Sequence, residues 1–211
     1  MPGYKKIYED NWLLIIDKPA DILTTPSPGN YEISLLDLLN SEYNPKRVGI
    51  FPCHRLDKET SELVIFAKDK QTQGQIMDLF RKREIRKKYI AIVQGWCEKN
   101  SGEIKNYLSE SSRSDKRKKL AITCYRAIKK EPEYSIVEVQ PLTGRKNQIR
   151  LHFKGLGHPI VGERRFAFAK DYEIKSKRLC LHARQLEFIH PRTEKSLKLF
   201  SAIPSHMRNF F

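Results

Sequence analysis

The apolar residues of this chain come in short runs broken by proline, glycine and charge, and no other feature restricts the fold as much. "NWLLIIDKP", Asn11 to Pro19, is such a run closed by proline, the pattern of a buried strand entering a loop. "ADILTTPSPGN" follows with Pro26, Pro28 and Gly29 and reads as that loop. "SLLDLLNSEY" repeats leucine at Leu35, Leu36, Leu38 and Leu39, consistent with a helix that Ser34 can cap. "ELVIFA" is a strand by its β-branched and aromatic content. Gln71 to Arg83 sets Ile76, Leu79 and Phe80 at helical spacing, and "KKYIAIVQG" resumes a strand at Tyr89. From Ala121 onward "AITCYRAI", "YSIVEVQPL", "NQIRLHF", "CLHARQLEFIHP" and "SLKLFSAI" read as mostly antiparallel sheet with turns. The expected class is therefore mixed α+β. No internal repeat, low-complexity tract or long linker interrupts the 211 residues, which fit one large domain.

Charge indicates the kind of partner. Forty Lys and Arg against twenty-five Asp and Glu leave a net charge of +15, which suits a dense polyanion, with nucleic acid first among them. An anionic membrane surface would attract the same charge, but a basic amphipathic helix or lipid anchor is missing from the sequence. No apolar run reaches the roughly 20 residues of a membrane span, and "MPGYKKIYEDNW" lacks the apolar core of a signal peptide, so a cytoplasmic protein is expected. Cys53, Cys97, Cys124 and Cys180 are widely spaced and read as free thiols.

The positive charge is clustered. "RKREIRKK", Arg81 to Lys88, has six basic residues in eight positions, and "KRKKL", Lys116 to Leu120, follows a serine-rich stretch. Either run alone is as well explained as a solvated face. Two of them on a chain this basic favour phosphate contacts, whose affinity comes from counterion release and is independent of sequence.

Common catalytic signatures are absent: there is no GxxxxGK[ST], GxSxG, HExxH or calcium-loop pattern, and "GLGHPIVG", Gly155 to Gly162, reads as a turn. The six histidines form no ligand-spaced pair on a helix, so no metal is expected. Asp57, in "HRLDKETSELVIFAK", stands a few residues before an apolar strand. Taken alone it is more often a turn cap, or a partner of Arg55, than a reactive carboxylate. "PLTGRKNQIRLH" adds Arg145 and Arg150 around a turn and a strand. An arginine can hold a buried carboxylate ionised, and an ionised aspartate is a competent nucleophile.

Four blocks in order, "HRLDKETSELVIFAK", "RKKYIAIVQG", "TGRKNQIRLHFKGLGHPIVGERRF" and "RLCLHARQLEFIHP", resemble the RluA-type RNA pseudouridine synthases from about Trp12 to about His206. The resemblance implies a single catalytic domain whose mainly antiparallel sheet, with flanking helices, is crossed by a central cleft. The small S4-type RNA-binding domain that precedes many relatives is not expected here, because the first catalytic-domain strand begins near Trp12. It implies catalytic roles for Asp57, for Tyr89 of "RKKY" and for Arg150 of "QIRLH", the last as the partner of Asp57. Arg55 would enter the RNA where the target nucleotide has left. His54, Arg83, Lys87, Lys88, Arg145, Lys116, Arg117 and Lys118 are expected to contact RNA. Two positions depart from the family pattern: Glu62 stands where glycine is usual, and Asn147 where histidine is usual.

The implied reaction isomerises uridines of ribosomal or transfer RNA and, having no redox change, needs no cofactor. A monomer is expected. A catalytically idle RNA-binding protein, a hydrolase pairing Asp57 with a histidine, and a glycosidase releasing free uracil are the rivals.

Overall fold

Burial alternating along two strands organises the first of two units into which the chain divides: Met1–Arg86 with Ala183–Ala202, and Lys87–His182 with Ile203–Phe211. The computed structural model describes residues 3–27, 29, 31–54, 58, 60–109, 118–167 and 174–211. In the first unit, β1 (Lys5–Glu9), β2 (Leu13–Lys18), β4 (Ser61–Ala67) and most of β9 (Leu181–Ile189) lie side by side in that order. The short β3 (Phe51–Pro52) pairs with β4, and β10 (Ser196–Phe200) pairs with β9. Strand β2 sends Leu13 and Ile15 to one face and Leu14 and Ile16 to the other; β4 divides Leu63, Ile65 and Ala67 from Val64 and Phe66 in the same way. A helix closes each face. Ile76 of α2 (Lys70–Lys82) joins the first set, and Leu35, Leu39 and Tyr43 of α1 (Leu35–Tyr43) join the second. As expected, Ser34 caps α1: its hydroxyl accepts from the Asp37 N–H, and the Asp37 carboxylate accepts from the Ser34 N–H. Strands β2 and β4 run antiparallel, with Leu13 opposite Ala67 and Lys18 opposite Glu62. Glu62 therefore stands within β4, opposite Lys18, and is 2 % exposed.

The second unit is an antiparallel sheet in the order β5-β8-β7-β6, formed by most of β5 (Arg86–Gln94), β6 (Ser101–Ser109), β7 (Lys118–Lys130) and β8 (Tyr134–Pro141). Its core gathers Ala91, Ile92 and Val93 of β5 with Ile136 and Val137 of β8. Two helices complete it, with Ile149 and Phe153 from α3 (Gln148–Gly155) and Met207 from α4 (Ser205–Arg208). The expected mixed, mainly antiparallel architecture is present. Among the described residues no helix is long and apolar enough to cross a membrane.

One expected strand is a helix. "NQIRLHF" alternates polar and apolar residues, which mimics a half-buried strand, yet Gln148–Gly155 is α3. The alternation misleads because the polar members are themselves buried. Gln148, Arg150 and His152 lie inside with Ile149 and Phe153, so the buried set follows a helical face. Strands β1 and β6 and helix α4 carry too little apolar periodicity to have been expected; β6 alternates exposed and half-buried residues throughout.

Candidate functional site

Arg55 and Asp57 lie outside the described residues, but the chain on either side of them is held in the first unit. On the near side, His54 Nε2 accepts the backbone N–H of Ile65 at 3.1 Å, and its ring lies 4.8 Å from that of Phe80. Accepting there requires Nε2 to be unprotonated. On the far side, the Lys58 carbonyl accepts from the Asp21 N–H at 2.8 Å and from Lys18 Nζ at 3.3 Å. Lys18 is fully buried at the end of β2, and its ammonium also donates to the carbonyls of Pro19 and Ile22, each at 2.9 Å. Carbonyl dipoles thereby replace the water this charge has lost.

In the second unit the site is built from α3 and the turn after it. Asn147 opens α3 in the left-handed region at φ 54, a conformation asparagine tolerates well. Arg150, 3% exposed, grips Glu163, 1% exposed, with both prongs of its fork: Nε to Oε2 at 2.6 Å and Nη2 to Oε1 at 2.7 Å. Its Nη1 donates to Asn147 Oδ1 at 3.3 Å. Nε and Nη2 of Arg150 thus engage both oxygens of Glu163, and the pair is close to neutral. Glu163 Oε1 accepts in addition from the N–H groups of Arg165 at 2.8 Å and Phe166 at 3.2 Å. Burial works to raise the Glu163 carboxyl, but the Arg150 hydrogen bonds and these backbone donors outweigh it and hold the group below the usual carboxylate range. The turn that delivers Glu163 needs glycine before it. Gly162 has φ +81, and a Cβ there would stand 2.0 Å from the Arg178 carbonyl oxygen.

A one-way chain of hydrogen bonds runs through the buried side of α3. Gln148 Oε1 accepts from the Thr143 hydroxyl at 2.7 Å and the Arg145 N–H at 3.0 Å, while its Nε2 donates to Thr123 Oγ1 at 2.8 Å. Thr123, having accepted there, donates to His152 Nδ1, also at 2.8 Å, and His152 Nε2 then donates to Asn106 Oδ1 at 2.8 Å. This assigns the tautomer from the network. Burial lowers the His152 pKa, in keeping with the neutral ring the chain requires. Tyr89 is half-buried on β5, opposite Val139 of β8, and packs on the same core that receives Ile149 and Phe153.

The expected RNA contacts are dispersed among different elements. Arg83 is the left-handed C-cap of α2 and is exposed. Lys87 and Lys88 are half-buried on β5, with Lys88 3.2 Å from Glu138. Arg145 donates from Nε to the Leu120 carbonyl at 3.2 Å, and Lys118 is exposed at the start of β7. Lys116 and Arg117 lie outside the described residues. Two residues that bear on the site gave no signal in the sequence: Glu163, whose partner lies thirteen positions earlier, and Lys18, a lone cation closing an apolar run. Among the described residues no cluster of three or more His, Cys, Asp or Glu could hold a metal ion.

Against known proteins, residues 12–154 match the RNA pseudouridylate synthase family. The chain is 36% identical to the dual-specificity RNA pseudouridine synthase RluA of Pasteurella multocida, covering 94% of this chain and 92% of that protein. It is 32% identical to tRNA pseudouridine synthase C of Vibrio cholerae, over 90% of this chain and 87% of the relative. The solved human RNA pseudouridylate synthase domain containing 4 superposes with a TM-score of 0.80 at 25% identity, covering 96% of this chain and 89% of that one.

Proposed function

The chain belongs to the RNA pseudouridylate synthase family, a family of isomerases, and from that premise we propose that it converts uridine to pseudouridine in structured ribosomal or transfer RNA, with Asp57 as the active-site carboxylate. The observation that carries this reading is the family match itself, because residues 12–154 include Asp57, Tyr89 and Arg150. The printed functions of the relatives, one a dual-specificity synthase and one acting on tRNA, support the substrate class.

The reaction breaks the C1′–N1 bond of uridine, turns the uracil and rejoins it through C5. The target must leave its stack first, at a cost of a few kcal/mol that favours loops over duplex. Arg55 braces the vacated space. Asp57 acts as the carboxylate, attacking C1′ or C6 or assisting elimination at the sugar. Tyr89 offers an aromatic face to the uracil and a hydroxyl for moving the C5 proton. Arg150, already neutralised by Glu163, supplies fixed hydrogen-bond donors and little net charge.

Incubation of the protein with ribosomal and transfer RNA, followed by nucleoside chromatography, tests the reading. The wild type should yield pseudouridine and no free uracil, and Asp57→Asn should lose turnover by several orders of magnitude while still binding RNA. Turnover retained in Asp57→Asn would remove Asp57 from the mechanism. RNA binding without any product from the wild type would leave the idle binding protein.

A further inference from the structure

Beside the Arg150 and Glu163 pair lies a groove of about 470 Å³, lined by Gly162, Glu163, Arg164, Lys175, Ser176 and Lys177. Neither basic run singled out in the sequence contributes to it. Its acid carries no charge outward, since both Glu163 oxygens are taken by Arg150 and one also by two backbone N–H groups. The remaining charged side chains are cations. Arg164, Lys175 and Lys177 are exposed, and no carboxylate among the described residues pairs with them, unlike Lys88 or Lys6, which each have a glutamate. The two walls are tied together: Arg164 Nη2 donates to the Lys177 carbonyl at 3.1 Å, and the Cys180 N–H donates to the Val161 carbonyl at 2.9 Å. Gly162 admits the Arg178 backbone at a distance no side chain would allow. A solvated charged face needs neither a concave shape nor crosslinked walls.

We infer that this groove binds the phosphodiester backbone of the substrate RNA. The inference rests on the proposed function and adds where the strand is held. A phosphate is a dense acceptor that suits the guanidinium fork of Arg164 and the two ammonium groups. The groove also has a fixed relation to the chemistry. Glu163 binds Arg150 and, with the same carboxylate, the backbone of Arg165 and Phe166, and the Phe166 ring lies 5.0 Å from the Arg150 guanidinium and 5.3 Å from that of Arg165. A phosphate seated on Arg164 is thus indexed to Arg150 through one short turn. The groove acts as a positioning surface for nucleotides flanking the target.

The test replaces Arg164, Lys175 and Lys177 together by glutamine and compares this variant with one in which three exposed lysines of the other unit, Lys5, Lys195 and Lys198, are replaced in the same way. Binding of a fluorescein-labelled RNA hairpin with a uridine-containing loop, and of bulk transfer RNA, is measured across a salt series. The groove variant should lose roughly tenfold or more in affinity, and the slope of log K against log salt should shrink by about two units, while the control variant changes little. Equal losses in the two variants, or none in either, would overturn the groove. Pseudouridine formation by the wild type on the same RNAs is read in parallel. Product formed with unchanged binding in the groove variant sinks the groove alone. Selective loss of binding with no product from any RNA sinks the isomerase reading and leaves the groove standing.

Discussion

The first unit packs hydrocarbon on both faces of its sheet and confines its buried Lys18 and Glu62 to the paired ends of β2 and β4, whereas the second buries, against its apolar core, an ion pair and a chain of hydrogen bonds. The two arrangements respond differently to change. Dispersion and hydrophobic burial are non-directional, so the first unit can exchange one aliphatic shape for another with modest repacking. Directional polar groups allow no such exchange, because each one left without its partner inside costs its desolvation. Arg150, expected to act on the substrate from α3, accordingly sits where position is most tightly specified.

The largest effect that would sharpen this contrast comes from the ion pair. Glu163→Ala strands the Arg150 guanidinium and should cost about 3–5 kcal/mol in urea denaturation. The double change Arg150→Met with Glu163→Leu should regain most of that stability but no turnover, which separates the structural worth of the pair from its chemical one. A double variant as unstable as the single one would mean that the pair is not the source of the loss.

A matched pair of near-isosteric changes comes next. Thr123→Val, which breaks the chain between Gln148 and His152, should cost about 1–3 kcal/mol. Ile15→Leu in the first unit should cost less than about 1.5 kcal/mol. Equal costs would erase the distinction between the units.

The smallest effect is the pH response of His152. Burial depresses its folded pKa, so its contribution to stability is complete above the unfolded value near 6.5 and is lost as pH falls through the folded value. Between about pH 7 and 5 the wild type should lose stability faster than His152→Asn, measured as the gap between their denaturation midpoints. A constant gap would show that the ring takes up its proton without disturbing the chain.

The same distinction explains what could be read from the sequence. Strands β2 and β4 and helices α1 and α2 were legible because apolar residues mark their buried faces, and Ser34 marks a cap. Helix α3 was not, because Gln148, Arg150 and His152 look like solvent-facing residues until Thr123, Asn106 and Glu163 are brought to them from distant parts of the chain. Asp57 and Tyr89 were recognisable as motif members. Glu163 was not, since an acid after a glycine turn gives no hint of a partner thirteen residues earlier. The basic runs were visible as composition, yet Lys88 proves to have a carboxylate neighbour, and Arg164, Lys175 and Lys177 gather only through folding.

A strand apolar on both sides poses a problem of alignment. When one side of a sheet is wet, sliding a strand by one residue exposes its hydrocarbon and is strongly disfavoured. Leu13–Ile16 against Val64–Phe66 has no such safeguard, because a slide exchanges aliphatic for aliphatic on either side. Lys18 supplies what the greasy stretch cannot. Moved one step, its ammonium would leave the carbonyls of Pro19, Ile22 and Lys58 and enter hydrocarbon. The buried lysine thus acts as the detent of a ratchet, and because one of its three carbonyls belongs to Lys58, the notch that aligns the sheet also fixes where the chain resumes after Asp57.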